Sequence, residues 1–155
     1  MYQHLSETAK DVLKIADGLA QQDHQEYVGS EHVLLAIMEH GLGLGAQVLE
    51  NYSISILTVR DQIMQLTKRS LEETWVLGRL PGTPHFKKVI AYAIEEAEKL
   101  KDKKVGTEYL LLGLLREKDC VAERALRSLG ITYEEARNEV TRLQGRDNSS
   151  PFTGK

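Results

Sequence analysis

One cysteine, three prolines and two phenylalanines are spread over 155 residues, and such scarcity excludes several classes of protein. Cys120 has no partner for an internal disulfide, which fits a reducing compartment and a small buried core residue. Basic and acidic side chains nearly cancel, 20 against 23, and the basic ones are scattered, so the electrostatic footprint of a nucleic-acid binder is missing. No uninterrupted apolar run approaches the roughly 20 residues of a membrane helix. The opening MYQHLSETAK lacks the basic start and apolar stretch of a secretory leader, and the expected location is the cytoplasm. Strand signals are also weak, because nowhere does an alternating run of apolar and polar residues sit between turn dipeptides; an all-α fold is expected.

Catalytic signatures are equally thin. Ser30, Glu31 and His32 are the residue types of a hydrolytic triad, yet neighbours on a helix point about 100° apart and form no relay. GLGLGA at 41–46 has the glycines of a dinucleotide fingerprint without the strand that must precede it, so a glycine-rich helix junction is expected. His32 and His40 stand eight residues apart on one helix, too far to share a metal, and HExxH is absent. A GxxxxGK[ST] loop is absent as well, so this chain is expected to carry no P-loop, no cofactor, no metal and no enzymatic activity.

What the chain does contain is a copy of itself. An offset of 77 aligns residues 6–66 with 83–143 without a gap, and the clearest match is VGSEHVLLAIMEH at 28–40 against VGTEYLLLGLLRE at 105–117. Lys10/Lys87, Ala16/Ala93, Gly29/Gly106, Glu31/Glu108, Leu34/Leu111, Leu49/Leu126, Ile54/Ile131 and Arg60/Arg137 are identical pairs. The spacing divides the chain into a first repeat at 1–69, a linker at 70–82 with Trp75, Gly78 and Pro81, a second repeat at 83–144 and a frayed tail at 145–155.

Each copy reads as four helices. Apolar residues at 9, 12, 13, 16, 19 and 20, and at 86, 89, 90, 93, 97 and 100, recur at helical spacing behind a hydroxyl N-cap, Ser6 or Thr83. Pro84 strengthens the second start, since its φ is already set and its missing N–H is not needed there. The second helix of each copy is apolar nearly all round and should be the most buried, with Ser30 or Thr107 placed to cap it. Short third helices are expected over 44–51 and 121–128. The fourth begin at Ser55 and Thr132, where Thr132 and Glu135 make a capping box.

A first-turn glutamate complements the helix dipole, and that alone accounts for Glu31 and Glu108 structurally. Their recurrence with a glycine and a hydroxyl suggests more. Helix N-termini attract anions, whereas a carboxylate accepts a guanidinium through two parallel bonds, so the two together suit a group carrying both charges. If the first and second helix starts of one repeat adjoin, Ser6 with Glu31 and Thr83 with Glu108 form two matched sites.

The VGSEHVLLAIMEHGLGLGAQVLE and VGTEYLLLGLLREKDCVAERALRSLGI blocks, the TPHFKKVIAYAIEEAEKL segment and the repeat length resemble the double Clp N-terminal repeat that precedes the ATPase rings of Clp-type unfoldases, nearest to the ClpC-like subfamily. The resemblance covers about 6–143. It implies an eight-helix bundle with pseudo-twofold symmetry that docks adaptors and unfolded or marked substrates for a Clp protease assembly, without binding nucleic acid or membrane. Some members recognise phosphoarginine, which assigns Glu31 and Glu108 to the guanidinium and Ser6 and Thr83 to the phosphate. Leu5 and Gly82 stand where the family commonly has an aromatic, and Tyr109 where the second copy usually has histidine. Two origins are compatible with the chain: a domain of a longer unfoldase, or a stand-alone accessory protein that binds the Clp assembly.

Overall fold

The helix-start hydroxyls cap as the sequence suggests. In the computed structural model, which describes residues 5–67, 83–118 and 120–145, Ser6 Oγ accepts the Ala9 N–H at 3.1 Å and opens α1 (Glu7–Gln22). Thr83 Oγ1 accepts the Phe86 N–H at 3.0 Å and opens α5 (Pro84–Lys99), with Pro84 in the first turn. The short third helices, α3 (Leu44–Asn51) and α7 (Val121–Ser128), fall on the expected residues. α4 (Ile56–Thr67) follows Ser55, whose hydroxyl accepts the Thr58 N–H. α8 (Tyr133–Leu143) follows Thr132, and the threonine half of the expected capping box is formed at 3.2 Å to Glu135 N. The described residues form eight helices and no extended strand, only a parallel bridge between Leu5 and Val105. The expected linker at 70–82 and the tail beyond 145 lie outside the described residues.

The remaining two helices, α2 (Ser30–His40) and α6 (Thr107–Arg116), are the spine of the bundle. Their leucine runs are buried from Val33 to Ile37 and from Tyr109 to Leu115, which is what an all-round apolar helix requires. α1 packs on α2 and α5 on α6, each pair within its own repeat. The third helices cross over: α3 packs on α6 and α8, and α7 packs on α2 and α4. Between α2 and α3, Gly41 takes the left-handed conformation that ends α2, and a Cβ at Gly45 would lie 2.7 Å from the Thr107 carbonyl oxygen. The GLGLGA run is therefore a helix junction against the other repeat.

One capping expectation is overturned. Ser30 and Thr107 do not cap their own helices; the N-cap positions belong to Gly29 and Gly106. Both hydroxyls reach into the opposite repeat, where Ser30 Oγ accepts the Ala122 N–H of α7 at 3.1 Å and Thr107 Oγ1 accepts the Gly45 N–H of α3 at 3.0 Å. The glycine frees the N-cap position and the hydroxyl becomes a cap in trans.

Glu96 of α5 adds a buried charge that the apolar pattern skips. Its carboxylate accepts the Tyr133 hydroxyl at 2.7 Å and Arg116 Nη1 at 3.1 Å, joining α5, α6 and α8, and Arg116 also lies over the Tyr92 ring. Leu19 holds the matching position in the first repeat.

Because both trans caps are buried, removing either leaves an amide proton without an acceptor. Ser30→Ala and Thr107→Val should each lower the unfolding free energy by about 1–2 kcal/mol in denaturant titrations. Equal stability in either variant would show that water replaces the cap.

Candidate functional site

Residues leading into the helix starts bring the candidate side chains together, and they do so across the repeats. The Ser6 N–H donates to the Val105 carbonyl at 2.9 Å, and the Thr83 N–H donates to the Val28 carbonyl at 3.0 Å. Each first-helix start therefore lies beside the VGSE or VGTE segment of the other copy. The expected pairing of Ser6 with Glu31 and Thr83 with Glu108 is corrected: Thr83 shares a hollow with Glu31, and Ser6 shares one with Glu108.

The two hollows are open, of about 290 and 300 Å³, and eight lining positions of each correspond under the 77-residue offset. The first is walled by Gln25, Tyr27, Gly29, Ser30 and Glu31 from one repeat and by Thr83, His85 and Val121 from the other. In the second, Asp102, Lys104, Gly106, Thr107 and Glu108 face Ser6, Thr8 and Leu44. Gly29 and Gly106 leave room for each glutamate to fold back over its own N-cap, and a larger residue there would turn the carboxylate aside. A Cβ at Gly29 would lie 2.5 Å from Glu31 Oε1, and one at Gly106 would collide with Glu108 in the same way. The glycine and glutamate of the repeated motif are thus one device that aims a carboxylate at the helix start.

The surroundings of the two carboxylates differ. Glu31 has no hydrogen-bond or ion-pair partner among the described residues and is partly open. Glu108 is only 8% exposed, and its Oε2 accepts the side-chain amide of Gln144 at 2.8 Å, a contact that nothing in the repeat pattern announces. Behind Glu31, the buried His32 ring accepts the Gly29 N–H on Nδ1 at 2.9 Å, which leaves the proton on Nε2, 3.5 Å from Asp23. Behind Glu108, Tyr109 takes that place and donates its hydroxyl to Asp102 at 2.8 Å. At the rim of the first hollow, His85 Nδ1 meets the buried Glu117 carboxylate at 2.6 Å.

Among the described residues, Ser30, Glu31 and His32 do not form a triad. The Ser30 hydroxyl serves Ala122 and the His32 ring serves Gly29, so the adjacent serine, glutamate and histidine engage different partners. Cys120 is buried at the start of α7, and burial pushes its thiol up. Among the described residues no three His, Cys, Asp or Glu side chains group as metal ligands would, and no single helix is long and apolar enough to cross a membrane.

A fold of two interlocked four-helix repeats has known relatives. The family model described as the Clp repeat (R) N-terminal domain matches residues 4–129 and, in a second match, 82–151. The chain belongs to this Clp repeat family. It is 34% identical over 145 residues to the ATP-dependent Clp protease ATP-binding subunit ClpA homolog of Cyanidium caldarium, covering 94% of this chain and 17% of that protein. The chloroplastic chaperone protein ClpC1 of Arabidopsis thaliana is 34% identical over 148 residues, 96% of this chain and 16% of its own length. The chain thus spans about a sixth of the curated relatives it matches. Among solved structures, the N-terminal domain of the Arabidopsis thaliana chaperone ClpD superposes with a TM-score of 0.72 at 19% identity, covering 94% of this chain and 97% of that one. A ClpV N-domain in complex with a VipB peptide superposes at 0.71 with 19% identity, covering 95% and 91%.

Burial, opposed by the Gln144 hydrogen bond and helped by the bond to Asp102, holds the Tyr109 phenol at about 12, and burial with the bond to Glu96 does the same for Tyr133. Between the ordinary value of 10.0 and about 12 the folded Clp repeats keep protons that the unfolded chain has released, so stability should fall as pH rises through that window. Phenolate absorbance should show Tyr109 and Tyr133 among the late-ionising groups, with one such group lost in Tyr109→Phe and one in Tyr133→Phe. Ionisation of both near pH 10 would contradict this.

Proposed function

We propose that this chain is a non-catalytic docking domain of a Clp-type ATP-dependent unfoldase, presenting adaptors and substrates to the assembly. The reading takes residues 1–69 and 83–144 as two repeats of one binding unit. The solved ClpV complex supports it, since a domain of this fold holds a peptide there. The observation that carries the ligand chemistry is the pair of crossed hollows, each with a carboxylate beside a helix-start hydroxyl from the other repeat.

Such a corner suits a zwitterionic group. A guanidinium offers parallel donors to Glu31, and a phosphate attached to it is drawn to the α5 N-terminus, where Thr83 still has its hydroxyl proton to donate. Phosphoarginine on a marked protein is the side chain with both groups, and Glu31 with Thr83, and Glu108 with Ser6, are its proposed contacts. The Tyr27 ring gives the first corner an aromatic wall; the second has Lys104 at that position.

Calorimetric titration with phosphoarginine tests the reading. Binding should weaken by about tenfold or more in Glu31→Ala, the equivalent of one charge-assisted pair, and vanish in the double variant with Glu108→Ala. No binding by the parent chain, or unchanged binding by the double variant, overturns it.

A further inference from the structure

The imidazole of His85 walls the first hollow, and a buried charge lies behind it. Its Nδ1 meets the Glu117 carboxylate at 2.6 Å; Glu117 is only 6% exposed and is not among the residues that line the hollow. The His85 side chain is 52% exposed. Since the two nitrogens of an imidazole point to opposite sides of the ring, the open side that faces the hollow carries Nε2. The counterpart of His85 under the 77-residue offset is Thr8, and the residues that line the second hollow include no histidine.

We infer that His85 contacts the phosphate in the first hollow and that binding there takes up a proton. This rests on the ligand reading proposed above and names the residue that makes one of its two corners sensitive to pH. A carboxylate only accepts hydrogen bonds, so the neutral ring keeps its proton on Nδ1 for Glu117 and leaves a bare lone pair on Nε2. Phosphate oxygens drawn to the α5 start beside Thr83 would then meet another acceptor. Once the ring is protonated they meet a donor, because Nδ1 stays with Glu117 and the new Nε2 proton is offered to the anion.

The groups around the ring identify where that proton goes. His24, Glu26 and Glu31 wall the same hollow, Glu117 at the end of α6 stands behind the ring, and Lys88 follows within a turn on α5. Histidine is the side chain whose ordinary titration falls near neutrality, which leaves His24 and His85 as the two choices. His24 belongs to the Glu31 wall, where the guanidinium is held. His85 shares the opposite wall with Thr83, two residues away at the helix start that attracts the phosphate. In the second hollow the basic group is the Lys104 ammonium, so affinity there should not follow a histidine titration.

Calorimetry with phosphoarginine from about pH 6 to 8.5, in buffers of different ionisation heat that report proton uptake, tests the assignment. Glu108→Gln confines binding to the first hollow and Glu31→Gln to the second, and each is measured with and without His85→Gln, which keeps a donor for Glu117 but cannot titrate. In Glu108→Gln the affinity should fall about tenfold as pH rises, one charge-assisted bond's worth, with a proton taken up at the lower pH values. His85→Gln should abolish both effects there and change nothing in Glu31→Gln. Comparing variants at each pH cancels any titration of the ligand itself. A pH profile and proton uptake that survive His85→Gln, or that disappear instead in His24→Gln, overturn the role of His85 and leave the ligand reading standing. Absence of binding by the parent at every pH removes the ligand reading and the role of His85 with it.

Discussion

A helix that starts inside a bundle has amide protons with no preceding carbonyl to meet, and α3 and α7 both start against the other repeat's spine. The Thr107 and Ser30 hydroxyls meet one proton of each, and they can do so only if the two copies interlock. Other reciprocal contacts follow the same symmetry. Ser6 bonds to Val105 as Thr83 bonds to Val28, and Asn51 bonds to Glu139 as Ser128 bonds to Gln62. Each copy therefore supplies donors and acceptors to the other, and losing one of these bonds inside the bundle would leave a buried backbone group without a partner.

The same interlock creates the pockets. A carboxylate folded over a glycine needs a neighbouring wall before it bounds a hollow, and the starts of the opposite repeat's first and third helices supply it. Since the hydroxyl caps in trans, it leaves the N-cap position to glycine, and the glutamate can lie back over it. Capping, repeat pairing and pocket geometry are in this sense a single arrangement, with the bundle core setting how far apart the two corners sit.

Local features of this fold were legible in the sequence because they depend on residues within one turn of each other. The Ser6 and Thr83 caps, the short helices at 44–51 and 121–128, and the leucine spine all follow from spacing of three or four residues. The partner of each corner was not legible, and the expected pairing within one repeat was wrong. A duplicated sequence offers identical motifs for pairing within a copy and between copies, so motif chemistry cannot choose; only the packed bundle does. Glu96 was hidden for a related reason, since apart from Lys99 its partners Arg116, Tyr133 and Arg137 lie 20 or more positions away and Leu19 occupies the matching site.

Burial then explains how two copies of one corner can part ways without disturbing the frame. Glu108 is nearly shut off from water, so in the empty pocket its charge needs a donor from the protein, and Gln144 is one. Glu31 is more open, and solvent meets that need. Gln144 takes one acceptor position on Glu108 that Glu31 keeps open, so the two carboxylates differ in their surroundings. The neighbouring exchange points the same way: a tyrosine ring can face a guanidinium, whereas the Lys104 ammonium repels it and favours the anionic part of a ligand. None of these positions takes part in the trans caps, and for that reason the corners can differ while the interlock that forms them does not.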